Sequence, residues 1–441
     1  MPDLAESVVA KAQTTVRRPD AKVMDKLSAC LVVGLFEACR TIANEHQGKD
    51  SRSIAKGTGP SYAQEFWAGT PERAVAAGSF LMHRELRDDA YQTAFHPGQV
   101  VIPTALACGR AVRATGQEIL EAMLFGYEVS CHLAELMLPQ ASVRGWRITA
   151  ALAPVAAAAT ACRLFADVEK LESSAASAIR LAASVSGGGL APVAAGGDWR
   201  VQPGVAASAG VLAGRMAADG YIAQEGSVEA PLSALSLIAG HWNPESFDQR
   251  PRIHGVSFKT ESAPMYAQGI LHACRALRPT GAIDELNFEV SPFTAAYAES
   301  GRADDSVADL RTIILDNQAG FAWPKPITRA MIDIAPDAQL SDLSCRLTAR
   351  INQSADVIVS ASGDTTGWGL VEAVQFCETQ SGTSMTNFAA TVRSFDQQAG
   401  FKSLEDAFAE LLNDWLAAQS RPGSGNEHIQ PEGSTASAEA K

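Results

Sequence analysis

The chain has 441 residues, with 36 Lys and Arg against 49 Asp and Glu for a formal charge of −13, and 46% of it is hydrophobic. At ~100–200 residues per domain this length supports two or three domains with sizeable cores. The acidic field argues against a nucleic acid or an anionic membrane surface as partner, so an anionic substrate needs cationic side chains gathered locally.

In chain order, Asp3 and Glu6 precede any long apolar run. That matches neither a secretory signal nor a transit peptide, and a cytoplasmic protein is expected. From residue 5 to about 240 the text is alanine-rich with a helical period. Met24, Leu27, Leu31, Val32 and Leu35 share one face, and the style continues through Val101–Val112, Glu118–Leu138, Ala150–Ala166, Leu171–Val185 and Val205–Asp219. The longest apolar stretch, Ile148–Cys162, is mostly alanine and shorter than the ~20 residues that span a bilayer, which predicts a buried helix and no membrane span. Turn signals fall at His96-Pro97-Gly98, Arg144-Gly145, Gly187–Gly189, Gly196-Gly197 and Pro203-Gly204.

After Pro251 the pattern changes. Ile283–Val290, Asp356–Val359 and Leu370–Phe376 read as strands, with Ser341–Ile351 as an intervening helix. Asn387–Ala418 returns to helix, with Phe401, Leu404, Phe408, Leu411, Leu412 and Trp415 in period. The expected fold is mainly α with an α+β insertion: a helical domain from residues 1–250 and 386–420, an α+β lid over 251–385, and a disordered tail at 421–441. Eight cysteines stand singly among apolar neighbours with no Cys-x-x-Cys pair or zinc spacing, and read as reduced core residues.

The densest polar run in the helical part is His83-Arg84-Glu85-Leu86-Arg87-Asp88-Asp89. As a helix it puts Glu85, Asp88 and Asp89 on one face, where crowded carboxylates raise one another's pKa and suit proton transfer. The alternative reading is a solvated face with Arg84 paired to Asp88. His96 precedes Pro97-Gly98 at a helix start, where the dipole keeps an imidazole neutral, as a general base requires; the alternative is a His that caps the turn. Arg147 and Arg200 stand just before helices and Lys259 at the switch in pattern. Together they can hold carboxylates, or they are unrelated surface charges beside packing Trp146 and Trp199. Gly187–Gly189 is followed by no dinucleotide or Walker pattern, which leaves it backbone room and no phosphate.

The run His83-x4-Asp88-Asp89 followed by His96-Pro97-Gly98-Gln99-Val100-Val101-Ile102-Pro103-Thr104-Ala105-Leu106-Ala107 resembles the signature of the MmgE/PrpD family, that of 2-methylcitrate dehydratase, cis-aconitate decarboxylase and iminodisuccinate epimerase. Gly145-Trp146-x-x-Thr149 and Gly204-Val205-Ala206-Ala207 with Gly210 add to the likeness, which covers residues 5–275 well and the rest loosely. The resemblance implies a helical domain built from both chain ends, a smaller α+β lid, a cleft between them, a homodimer and no metal or other cofactor. It also implies removal or addition of water, loss of carbon dioxide, or inversion of a centre on a small polycarboxylate.

The sequence departs from that pattern at several places. Leu86 stands where dehydratase and decarboxylase members have an acid, and Ala90 where a Thr usually follows the Asp pair. Arg147 replaces a His, while the Lys and His of a Lys-Pro-x-His-x-Gly loop fall on Trp199 and Gln202, with Arg200 adjacent. Lys259 is retained, but the later Cys and His fall on Ala263 and Gln268. The resulting expectation is a lyase of the dehydratase or decarboxylase type. His96 is the base, Asp88 or Asp89 orients it, and Arg147, Arg200, Lys259, Gln202 and His83 bind the substrate. The alternatives are an epimerase or cyclising isomerase of a biosynthetic pathway, or a non-catalytic binding member.

Overall fold

A computed structural model describes residues 2–46, 61–83, 88–92, 94–191, 199–240, 248, 250–296, 309–353, 356–395, 401–419 and 438–440. The chain divides into two compact units. The first comprises Met1–Gly189, Arg200–Val256 and Thr366–Gly425; the second comprises Leu190–Trp199, Ser257–Thr365 and Asn426–Lys441. The fold is a large helical domain with a smaller α+β domain.

The first unit is built from α1 (Leu4–Arg17), α2 (Ala21–His46), α3 (Tyr62–Ala68), α4 (Pro71–His83), the short strand β1 (Asp89–Tyr91), α5 (Gly98–Val112), α6 (Gly116–Met137), α7 (Gln140–Val143), α8 (Ile148–Phe165), α9 (Leu171–Ala183), α10 (Gln202–Ala218) and α11 (Ala234–Ala239). Local rules set many of the helix starts. Asp3 caps α1 by accepting from the Glu6 amide, and Thr115 with Glu118 forms a capping box on α6. Small residues then set the spacing. A Cβ on Gly210 of α10 would run into the Pro154 carbonyl oxygen of α8, and one on Gly214 would come within 2.7 Å of the Ala158 carbonyl oxygen. The two helices therefore run parallel in backbone contact, which only small residues permit.

The same contacts orient the helices around α4. Gly204 of α10 sits against Ala76 and Ser79 of α4, and Ser208 donates to the Glu72 carbonyl at 2.7 Å. Pro103 of α5 packs on Gly78 of α4, while the rings of His83 and His96 lie 5.0 Å apart. Both α5 and α10 thus run antiparallel to α4. With α8 parallel to α10, three helix starts gather at the C-terminal end of α4.

The second unit holds a sheet in the order β4-β3-β5-β6-β7, with β3 (Ile283–Val290), β4 (Ile332–Pro336), β5 (Ser344–Ile351), β6 (Asp356–Ser362) and β7 (Ala438–Ala440), after a strand β2 (Val256–Phe258) that crosses the boundary. β3 pairs parallel with β4 and antiparallel with β5, bringing Phe288 opposite Leu347 and Leu347 opposite Val359 of β6. The helix α12 (Gln268–Ala276) adds Ile270, Leu271 and Cys274 to the core these residues form. Two further helices, α13 (Pro292–Ala296) and α14 (Leu310–Asn317), lie between β3 and β4 in the chain.

Two expected elements are corrected. Ser341–Ile351 is not a helix: Cys345, Leu347, Ala349 and Ile351 are buried with a period of two, and the segment is β5. Leu370–Phe376 is not a strand: Leu370, Ala373, Phe376 and Cys377 are buried while Val371 is 53% exposed, the period of a helix, α15 (Leu370–Ser381), which Gly382 ends in the left-handed conformation. This helix packs on α2, where Asp25 accepts from the Leu370 amide, so it belongs to the first unit and the chain returns there at 365/366 instead of near 386. The helices α16 (Thr386–Arg393) and α17 (Phe401–Gln419) complete that unit, with Trp415 stacked on Phe36 at 4.8 Å. Of the expected disordered tail only Ala438–Ala440 falls among the described residues, as the edge strand beside β6.

Ala21–Glu45 and Ile148–Phe165 are long and apolar enough to cross a membrane by length and composition, but 83% of each apolar window is buried inside the fold. All eight cysteines are buried, and burial pushes Cys162 up to about 12.

Candidate active site

The polar run at 83–89 is not one helix. α4 ends at His83, Asp89 opens β1, and Arg84–Arg87, with Glu85 and Leu86 among them, lie outside the described residues. The two adjacent aspartates turn in different directions as the chain enters β1. Asp88 turns to the histidines: its Oδ2 is 2.6 Å from His83 Nδ1 and 3.5 Å from His96 Nδ1. Asp89 turns into the helices, where its carboxylate accepts from the Gly98 amide at 2.9 Å and from the Tyr127 hydroxyl at 2.6 Å. Gly98 is required there because a Cβ would lie 2.5 Å from Asp89 Oδ2.

Hydrogen-bond chemistry sets both tautomers. The Asp88 carboxylate only accepts, so His83 Nδ1 carries the proton. Arg147 only donates, and its guanidinium lies 3.1 Å from His83 Nε2, which therefore accepts. His83 is a neutral ring with both nitrogens engaged. His96 Nδ1 faces the Asp89 carbonyl at 2.8 Å, an acceptor, so the proton sits on Nδ1 and the lone pair of the neutral ring is on Nε2. Its backbone is held too, the amide donating to Thr149 Oγ1 at 3.1 Å at the start of α8. His96 thus stands two residues before α5, oriented at ring and backbone.

Arg147 is buried as the N-cap residue of α8, its amide donating to the Gly188 carbonyl. Gly188 has φ +111°, and a Cβ there would strike Ala150. The glycine run therefore supplies backbone room. Burial lowers the Arg147 pKa to about 9, with Asp88 pulling it up and Arg200 pushing it down, and it stays cationic at neutral pH. Arg147 and Arg200 stand at neighbouring helix starts, because the helices they precede, α8 and α10, run parallel in contact. Arg200 is buried in the turn before α10, and Gln202 opens that helix. Because α10 runs antiparallel to α4, both lie toward His83. Lys259, also buried, follows β2 in the second unit.

Sequence reasoning missed Tyr127 and gave Thr149 no role. Tyr127 lies within an apolar helix 38 residues from Asp89, and no local pattern distinguishes it from a core aromatic.

The MmgE/PrpD N-terminal domain matches residues 9–245, more than half of the chain, which takes in His83, Asp88, His96, Arg147 and Arg200 but not Lys259. The chain belongs to the MmgE/PrpD family. No curated protein matches it. MmgE/PrpD membership suggests lyase chemistry of the dehydratase type. Arg147, at the position where the sequence resemblance leads one to expect a His, sets a cation against the second nitrogen of His83.

His83, Asp88 and His96 also bring three metal-ligating atoms within 4.8 Å of one another. The set fits a cation poorly. Both Nδ1 atoms carry protons directed at oxygen acceptors, and the Arg147 charge beside His83 opposes a second positive ion.

Proposed function

We propose that the chain is a cofactor-independent lyase that removes a proton from carbon next to a carboxylate of a small polycarboxylate or related acid, acting in the cytoplasm as a homodimer. The observation that carries this reading is the division of labour between the histidines. His83 has both nitrogens committed to Asp88 and Arg147, whereas His96 presents its lone pair on Nε2 with Nδ1 anchored. Of the two histidines His96 is taken as the base, its ring oriented through Nδ1 while both nitrogens of His83 are engaged.

In the reaction His96 Nε2 takes the proton, and the electron pair of the broken C–H bond passes into the adjacent carboxylate as an enolate. Arg147 and Arg200 stabilise that charge in a buried setting, where fixed cations act most strongly. In the dehydratase form the pair returns to make the double bond as the β-hydroxyl leaves, taking the proton from His96 to depart as water. In the decarboxylase form the enolate comes from loss of carbon dioxide and His96 delivers the proton. Asp88, shared by both imidazoles, favours the cationic ring that His96 becomes. Lys259 is proposed as a further carboxylate ligand on the family likeness and Gln202 as a neutral contact, while His83, with both nitrogens engaged, serves the substrate by holding Arg147 in place. An epimerase needs a proton donor on the opposite face; with His83 committed and Arg147 cationic, the cluster favours a single base.

The test is exchange of carbon-bound hydrogen in heavy water across a panel of di- and tricarboxylates, with product analysis. His96→Ala is expected to lower exchange and turnover by ~10²–10⁴-fold with melting nearly unchanged. Arg147→Ala and Arg200→Ala should lower kcat as well as raise KM, because the two cations hold the carboxylate and stabilise the enolate formed from it. Full activity in His96→Ala would sink the assignment. Exchange without net product would indicate an epimerase, and binding without exchange a non-catalytic member.

A further inference from the structure

Three polar side chains near the C-terminal end of α4 carry buried atoms with no hydrogen-bond partner among the described residues: Gln99 at both Nε2 and Oε1, Ser79 at Oγ, and Gln202 at Oε1. Gln99 is 1% exposed and Ser79 fully buried. An unsatisfied buried amide is costly, and native proteins keep few of them.

Their placement is not scattered. Gln99 lies one turn before Pro103 on α5, on the same face, and Pro103 packs on Gly78 of α4. The His83–His96 ring contact closes the other end of the α4–α5 seam. Gln99 therefore faces the α4 stretch between Gly78 and His83. Ser79 is in that stretch, one turn before His83 on the same face. Gln202 begins α10 two residues before Gly204, which rests on Ser79. All three are within the first unit, beside the histidine and arginine cluster.

We infer that Gln99 and Ser79, with Gln202, form a neutral hydrogen-bonding subsite that takes a hydroxyl-bearing part of the substrate, next to the carboxylate held by the arginines. The chemistry of the atoms selects the group. Gln99 Oε1 and Gln202 Oε1 accept only, so they need a donor, and an ionised carboxylate has none. Gln99 Nε2 donates, so the partner must accept as well. A hydroxyl does both. A site built to hydrogen-bond a hydroxyl leaves its own polar groups unpaired when the analogue lacks one, which is the strong form of discrimination. The inference rests on the proposed carboxylate reading and makes hydroxy acids the substrate class.

Malate against succinate, and citrate against tricarballylate, differ by the hydroxyl alone. By calorimetry the wild type is expected to bind the hydroxylated member of at least one pair ~10-fold or more tighter, with Gln99→Met and Ser79→Ala each narrowing that ratio several-fold. Gln99→Met keeps the shape and removes the unpaired amide, so the ligand-free variant should melt higher, by about 1–4 °C. Equal binding within both pairs by the wild type overturns the subsite, as does a lower melting temperature or failure to fold in Gln99→Met. Acids that bind equally to wild type and Arg147→Ala would instead mark failure of the carboxylate reading. If none of the four acids binds, melting decides: a rise supports Gln99 as a group held unpaired for a ligand, and a fall overturns it.

Discussion

Asp89 acts on His96 only through structure, since its carbonyl takes the Nδ1 proton while its carboxylate is pinned by Tyr127 and the Gly98 amide. Tyr127→Phe removes one donor from a buried carboxylate and should cost about 1–3 kcal/mol in urea unfolding; no change would show that Asp89 has another source of satisfaction. His132 gives a pH signature of its own. Burial is the main cause of a pKa lowered to about 4, with Arg252 and Lys11 adding to it against the Glu128 carbonyl and Asp248. An unfolded His titrates near ~6.5, so between about 6.5 and 4 the unfolded chain binds more protons than the folded one. Stability contributed by neutral His132 is full above that window and falls as pH drops through it, by about 3 kcal/mol at most. His132→Gln should flatten this part of the urea midpoint against pH; an unchanged slope would assign it to other groups.

At the scale of elements, the contact between α8 and α10 holds the starts of both helices, and with them Arg147 and Arg200, beside His83. Gly210→Ala puts a methyl group into the Pro154 carbonyl and should destabilise by about 1–3 kcal/mol, with loss of carboxylate binding in the folded fraction as the two arginines shift. Gly187→Ala is the control: nothing lies within 4 Å of a Cβ there, and a change within about 1 kcal/mol is expected. Equal melting of the two variants would mean the helices part more easily than their backbone contact indicates. The segments misread from sequence make a related point. In Leu370–Phe376 the apolar residues stand at 370, 371, 373, 374 and 376, a helical spacing, and burial follows Leu370, Ala373 and Phe376 because α2 covers one face of a helix.

For the molecule as a whole, α10 carries a row of exposed apolar side chains, Val205 at 66%, Leu212 at 53% and Met216 at 40%, at helical spacing. Ile222 and Leu237 are exposed as well. An apolar row of this kind marks an association surface, and a second copy of the chain is the expected partner. Light scattering at micromolar concentration should give twice the 46.4 kDa chain mass, and Leu212→Glu with Met216→Glu should return it to one. A wild type that scatters as a single chain would end the dimer expectation.

Helical period, turn signals and the return to helix after residue 387 were legible in the amino-acid order, because burial of one face imposes its period locally. The residues of the candidate site were legible too, since His96-Pro97-Gly98 and the Asp pair are contiguous. Their roles were not. Which of Asp88 and Asp89 faces the histidines depends on the Gly98 amide and the Tyr127 hydroxyl that take the Asp89 carboxylate, and which nitrogen of His83 is taken depends on Arg147, 64 residues away. Gln99 and Thr149 stand inside recognisable motifs that assign them no role, and Tyr127 and Ser79 carry no local mark at all. Their meaning arises where the starts of α5, α8 and α10 meet the end of α4, and that meeting is decided by close packing between helices distant in the chain, which a local pattern cannot encode.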